Sequence, residues 1–130
     1  MTITAGARVD LRAHQDSIRL TPAELVTQLR DLLGAKLVAY VGSQRETRAV
    51  RLWAEGDRTP HSETLSRLRA TYHAAALLAE KDAPAVVQAW FVGANPRLGD
   101  VAPARLLREG VLDQVAPEVL AAARAFGAES

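Results

Sequence analysis

PAVVQAWFVGANPRLGDVAPARLLREG, running from Pro84 to Gly110, is the stretch whose reading decides the fold. Asp82 can cap a helix that Pro84 opens, and Val86, Val87, Trp90 and Phe91 line one side of it. Two adjacent aromatics near a helix end bury a large area and anchor a core or an interface. Gly93 permits a left-handed stop, and Asn95-Pro96 makes a turn that cannot continue the helix. Leu98 returns to the core. Pro103 then starts a short helix with Leu106 and Leu107 on one face, and Gly110 ends it. Helix, turn, helix is the grammar here, with no strand in it.

Composition extends that reading to the whole chain. At 130 residues it is one domain, or two small helical lobes sharing a core. Hydrophobic residues make up 48% and aromatics only 5%, so the apolar content is mostly Ala, Leu and Val, which suits helices. The expected class is all-α, with boundaries at 1–20, 21–80 and 81–130. With no cysteine, disulfides and thiolate metal sites are excluded, and a reducing cytoplasm is the expected location. No apolar run approaches the ~20 residues that span a bilayer, and the N-terminus lacks a basic-then-apolar signal pattern; no membrane association is expected. Charge is unevenly spread. Lys36 to Arg69 holds seven basic residues against four acidic, a net of +3, and Ala74 to Ser130 five against seven, a net of −2. A basic centre beside an acidic C-terminal part suits a nucleic-acid reader joined to a protein-binding module.

Met1 to Leu20 shows no helical periodicity, and its alternation at Arg8 to Arg12 predicts a flexible arm with at most a short extended piece. Thr21-Pro22-Ala23-Glu24 is a capping box with proline at the first helical position, followed by Leu25, Leu29, Leu32 and Leu33 and stopped by Gly34. Lys36 to Gly42 predicts a short helix, Ser43-Gln44 a turn, and about Arg45 to Trp53 a second helix: a helix-turn-helix. Val50 and Trp53 anchor the second helix inward, and Arg45, Arg48 and Arg51, each three apart, form a basic stripe suited to phosphates and guanines. The candidate DNA-contacting residues are Lys36, Ser43, Gln44, Arg45, Thr47, Arg48 and Arg51. A long helix follows from Ser62 or Glu63 to about Glu80, its alanines allowing close packing and a homodimer contact. After Gly110, Val111, Leu112 and Val115 cover the core, and Pro117 starts a last helix with Val119, Leu120, Ala123 and Phe126 inward and Gly127 at its end.

Catalytic patterns do not emerge. His14, His61 and His73 are scattered, with no ligand spacing for a metal. The serines lie in turns or helix starts without a nucleophile elbow, and the glycines fall singly rather than in a phosphate loop. Arg108-Glu109 reads as a solvated helix-end pair. The residues predict neither an enzyme nor a cofactor nor a small-molecule substrate.

The run W-F-x-G-x-N-P-x-L followed by P-A-x-L-L-R-E-G, from Trp90 to Gly110, resembles the toxin-binding domain of the Xre/MbcA/ParS family of antitoxins. Trp53 and Gly56, in W-x-x-G, resemble the end of the second helix of the family's Xre-type helix-turn-helix, although Gly42 stands further before Val50 than is usual there. The resemblance covers roughly Lys36 to the C-terminus. It implies a helix-turn-helix N-terminal lobe packed on a small helical toxin-binding lobe, and a type II antitoxin. Such a protein silences a RES-domain, NAD-consuming toxin and, as a homodimer, represses its own operon at operator DNA. The toxin-contacting candidates it implies are Trp90, Asn95, Arg97, Leu98, Arg105, Arg108, Phe126, Glu129 and Ser130. The alternative is a stand-alone transcriptional repressor with the same architecture and no toxin partner.

Overall fold

The computed structural model describes residues 4–129. Among them the fold is all-helical: α1 (Ala5–Arg19), α2 (Pro22–Leu33), α3 (Ala35–Val41), α4 (Arg48–Glu55), α5 (Ser62–Ala79), α6 (Pro84–Val92), a 3₁₀ turn (Pro96–Leu98), α7 (Pro103–Glu109) and α8 (Leu112–Glu129). Only an isolated bridge, Asn95 to Val101, interrupts the helical pattern. No helix among the described residues is long and apolar enough to cross a membrane.

The predicted capping box at α2 is present in both directions: Glu24 N–H donates to Thr21 Oγ1 at 3.2 Å and Thr21 N–H to Glu24 Oε1 at 3.0 Å. Leu25, Leu29 and Leu33 are buried, and α2 packs on α4, α5, α3 and α6. The long α5 is the spine, touching α1, α2 and α8. One apolar cluster runs from Leu20 through Trp53, Leu68, Phe91 and Leu107 to Ala123, so the residues before and after position 80 share a single core.

Several helix ends are held by side chains from other helices. Arg69 donates to the carbonyls of Ser17 and Leu20 at the end of α1 (2.8 and 2.9 Å), and Arg67 to Leu107 at the end of α7 (2.8 Å). Gln88 does the same for Leu32 at 3.1 Å. A guanidinium is well suited to the orphan carbonyls of a helix C-terminus and to its negative dipole end. Arg67 and Arg69 thus belong to the framework, although their charges contribute to the basic centre of the sequence.

The N-terminal segment departs from the expected arm, since α1 occupies Ala5–Arg19. Thr4 caps it, accepting from Ala7 N–H at 3.1 Å. The stripe that α1 buries is small and polar, centred on Ala13 and Ser17, whereas Leu11, part of the alternation that suggested extension, and Ile18 face solvent. The dock is electrostatic: Asp10 accepts from Arg124 of α8 and lies 2.9 Å from His73 Nε2 of α5, and the His14 ring lies 5.4 Å from that of His73. The histidines read as scattered therefore converge in part. No cluster of metal-ligand type occurs among the described residues.

This dock makes stability depend on pH. Burial, outweighing the nearby Asp10 carboxylate, holds His73 below its ordinary 6.5. The unfolded chain then takes up a proton that the folded chain refuses, so stability is full above 6.5 and declines as pH falls toward the folded pKa. Asp10 is held below its usual 3.8, chiefly by the Arg124 hydrogen bond, and its contribution is lost only in stronger acid. A melting temperature followed from pH 8 to 5.5 is expected to fall, and His73→Gln to flatten that decline; an unchanged slope in the variant would assign it to other groups.

The C-terminal half also corrects several helix ends. Asp82 does not cap α6; Ala83 occupies the cap position without a side-chain bond. Gly93 has φ −83°, and the left-handed residues of this stretch are Gly99 and Asp100 instead. Val87 and Phe91 are buried as expected, while Val86 and Val111 are exposed. The last helix starts at Leu112, not Pro117, and continues past Gly127. Gln114 and Val115 N–H groups both bond to the Val111 carbonyl, so the first turn closes ahead of Pro117. The proline then removes the single backbone donor to the Asp113 carbonyl.

Gly110 is required by space. An added Cβ would overlap Val115 Cγ1 and lie 2.7 Å from the Leu106 carbonyl oxygen. Gly110→Ala is expected to cost about 1–3 kcal/mol through overpacking at the α7–α8 junction, read by urea denaturation. A variant as stable as the parent would show that this junction has room to give.

Candidate functional site

Two surfaces carry the residues that the sequence singles out. The first is a concavity of about 960 Å³ between α3, the turn after it, the start of α4 and Arg108 of α7. Its cations are Lys36, Arg45, Arg48, Arg51 and Arg108, and its one acid is Glu46. Lys36 and Tyr40 are four apart and share a face of α3. Arg48 and Arg51 lie on the exposed side of α4, whose opposite side buries Ala49, Val50 and Trp53. The inward anchor and outward basic face of α4 are those expected from the sequence.

The turn between these helices is longer than Ser43-Gln44. It runs from Gly42 to Thr47, and α4 begins at Arg48 rather than Arg45. Arg45 therefore projects from the turn, yet it still lines the concavity with Arg48 and Arg51. Gly42 lies close under Trp53 where the chain leaves α3: a Cβ there would stand 3.2 Å from the Trp53 ring, a tight contact. Gln44 folds back, donating to the Gly42 carbonyl at 2.9 Å. Thr47 makes no side-chain cap, and no acid occupies the first turn of α4. Of the seven DNA candidates, six line the concavity; Ser43, with φ 57°, does not. Among the described residues Lys36, Arg45 and Arg48 form no ion pair, while Arg51 lies 3.5 Å from Glu55.

The second surface is a groove of about 540 Å³ between the end of α6, the Asn95–Leu98 turn and the end of α8. Trp90 and Phe126 form its aromatic wall, with ring centroids 6.5 Å apart, and Trp90 stands edge-on to Phe91 at 5.1 Å. Asn95 shapes the turn by accepting from the Arg97 N–H at 3.0 Å. Arg97 and Glu129 close the rim with a 2.6 Å ion pair, both side chains remaining more than half exposed. An exposed pair of this kind contributes about 0–1 kcal/mol and opens readily.

No known protein family, curated protein or solved structure matches this chain. Function is therefore read from the chemistry of the two surfaces. Of the residues implied as toxin contacts, Trp90, Asn95, Arg97, Phe126 and Glu129 come together in the groove. Leu98 does not: it is buried in the core. Arg105 pairs with Glu109 at 3.0 Å and lines neither surface, so the expected Arg108–Glu109 pair is replaced by an i, i+4 pair within α7. Arg108 instead reaches α3, donating to the Tyr40 carbonyl at 3.2 Å with its guanidinium 4.6 Å over the Tyr40 ring. Ser130 lies outside the described residues. Sequence reading missed Tyr40, whose spacing from Lys36 was the available signal, and missed Ala94 and Ala122, which shape the groove without distinctive chemistry.

Proposed function

We propose that this chain is an antitoxin of the Xre/MbcA/ParS kind: it binds DNA through the α3–turn–α4 concavity, acting as a helix-turn-helix, and caps a RES-domain toxin through the Trp90–Phe126 groove. The observation that carries the reading is the convergence of Trp90, Asn95, Arg97, Phe126 and Glu129 on one groove, although they come from three separate segments. An aromatic wall with a polar, exposed rim is the pattern of a protein-binding hot spot. The concavity supports the other half. Five cations against one acid suit a phosphate backbone, and a homodimer would present two such faces to a two-fold operator. NAD, in this reading, belongs to the toxin's chemistry and not to this chain.

Co-expression with the adjacent gene tests the proposal. A RES-type neighbour is expected to stop growth alone and to be harmless beside this chain. A neighbour that is harmless by itself would remove the antitoxin reading. The second reading, a stand-alone repressor, is favoured by one observation: the basic concavity is complete within this chain without a partner. It predicts operator binding that no neighbouring protein alters.

A further inference from the structure

We propose that Arg108 is a phosphate-contacting residue of the basic concavity, so that the nucleic-acid surface is built by the C-terminal motif as well as by α3 and α4. The inference rests on the DNA-binding reading above and adds a contact from a part of the chain that the sequence assigns to a protein partner. Arg108 lies on α7, and it lines the same concavity as Lys36, Arg45, Arg48 and Arg51. It is well fixed there. Its Nη1 donates to the Tyr40 carbonyl at 3.2 Å and its guanidinium carbon lies 4.6 Å from the Tyr40 ring centroid. Its neighbour Leu107 is fully buried, with the Leu107 carbonyl held by Arg67 at 2.8 Å. One bond to Tyr40 uses one of five guanidinium N–H groups, leaving the rest of the fork for a phosphate oxygen. A guanidinium already held against a ring and hydrogen-bonded loses little freedom on binding, which favours Arg over Lys as a pre-set contact.

The test is the salt dependence of binding to a random-sequence duplex, because phosphate contacts are independent of sequence. The full-length chain is titrated from about 50 to 200 mM salt, where each phosphate contact adds about 0.9 to the slope of log K against log salt. Arg108→Gln removes the charge and leaves a polar side chain; it is expected to lower the slope by about 0.9, as is Arg48→Ala. Arg108→Lys is expected to retain the slope, and Arg105→Ala, on the same helix but outside the concavity, to leave it unchanged. Thermal melts of each variant check that the fold persists. A lower slope for Arg48→Ala with a parental slope for Arg108→Gln would overturn this inference and leave the DNA reading standing. An equal fall for Arg105→Ala would also overturn it, since the effect would then be a diffuse field. No salt-dependent binding by the parent chain would overturn both.

Discussion

Phe91→Ala is expected to lower the unfolding free energy by about 3–5 kcal/mol, the usual cost of emptying a fully buried aromatic site. That is a third or more of the stability of an ordinary domain, about 5–15 kcal/mol. Phe91 is 0% exposed and belongs to the cluster that joins α2, α5 and α6 to the C-terminal helices, so no solvent-facing collapse can refill its place. Its neighbour in sequence should behave differently. Trp90 is only half-buried, packs against the core from its border, and pairs with the rings of Phe91 and Phe126. Trp90→Ala is expected to cost about 1–3 kcal/mol, from two aromatic pairs and partial burial, and to abolish partner binding. Urea denaturation of the two variants separates them. Equal losses would make Trp90 a core anchor and leave the groove without its central wall.

The second large effect concerns the concavity. Arg48→Ala combined with Arg51→Ala removes two charge-assisted contacts, worth about 3 kcal/mol or more together, so affinity for a duplex should drop roughly a hundredfold or more at fixed salt. Arg48 is expected to contribute more than Arg51, because Glu55 at 3.5 Å already balances part of the Arg51 charge. Neither side chain touches the core, whose α4 contribution comes from Ala49, Val50 and Trp53, so the melting temperature should stay near that of the parent. Gel-shift titration reads the affinity and a thermal melt reads the fold. An unchanged affinity would assign α4 to the framework alone.

These contrasts mark where the sequence was readable. Local signals gave the elements: the Thr21–Glu24 capping box, the leucines of α2, the Val50–Trp53 anchor, and the glycine after α7 all lie within a few residues of one another. The α1 segment was misread because its buried stripe is Ala and Ser, held by Asp10 to partners 63 and 114 positions away, and apolar periodicity carries no trace of such a dock. Pro117 was misread because proline suits the first turn of a helix, and nothing local announces that Leu112 to Ala116 have already closed a turn. The basic concavity was largely legible, since Lys36 to Arg51 are near in sequence. Arg108 was not, because its place beside Tyr40 depends on how α7 lies against α3, 68 residues away. Half of the Trp90–Phe126 groove was legible through the motif. The other half depends on α8 returning to meet the Asn95 turn.

Retention of the purified product of the adjacent gene, which the proposal holds to be a RES-type toxin, on an immobilised column of this chain is the most direct measurement of the two-surface proposal. The parent chain and the Arg48→Ala/Arg51→Ala variant should both hold the partner, and a folded Trp90→Ala/Phe126→Ala variant should release it. Retention by all three, or by none, would contradict the assignment of toxin capture to the groove.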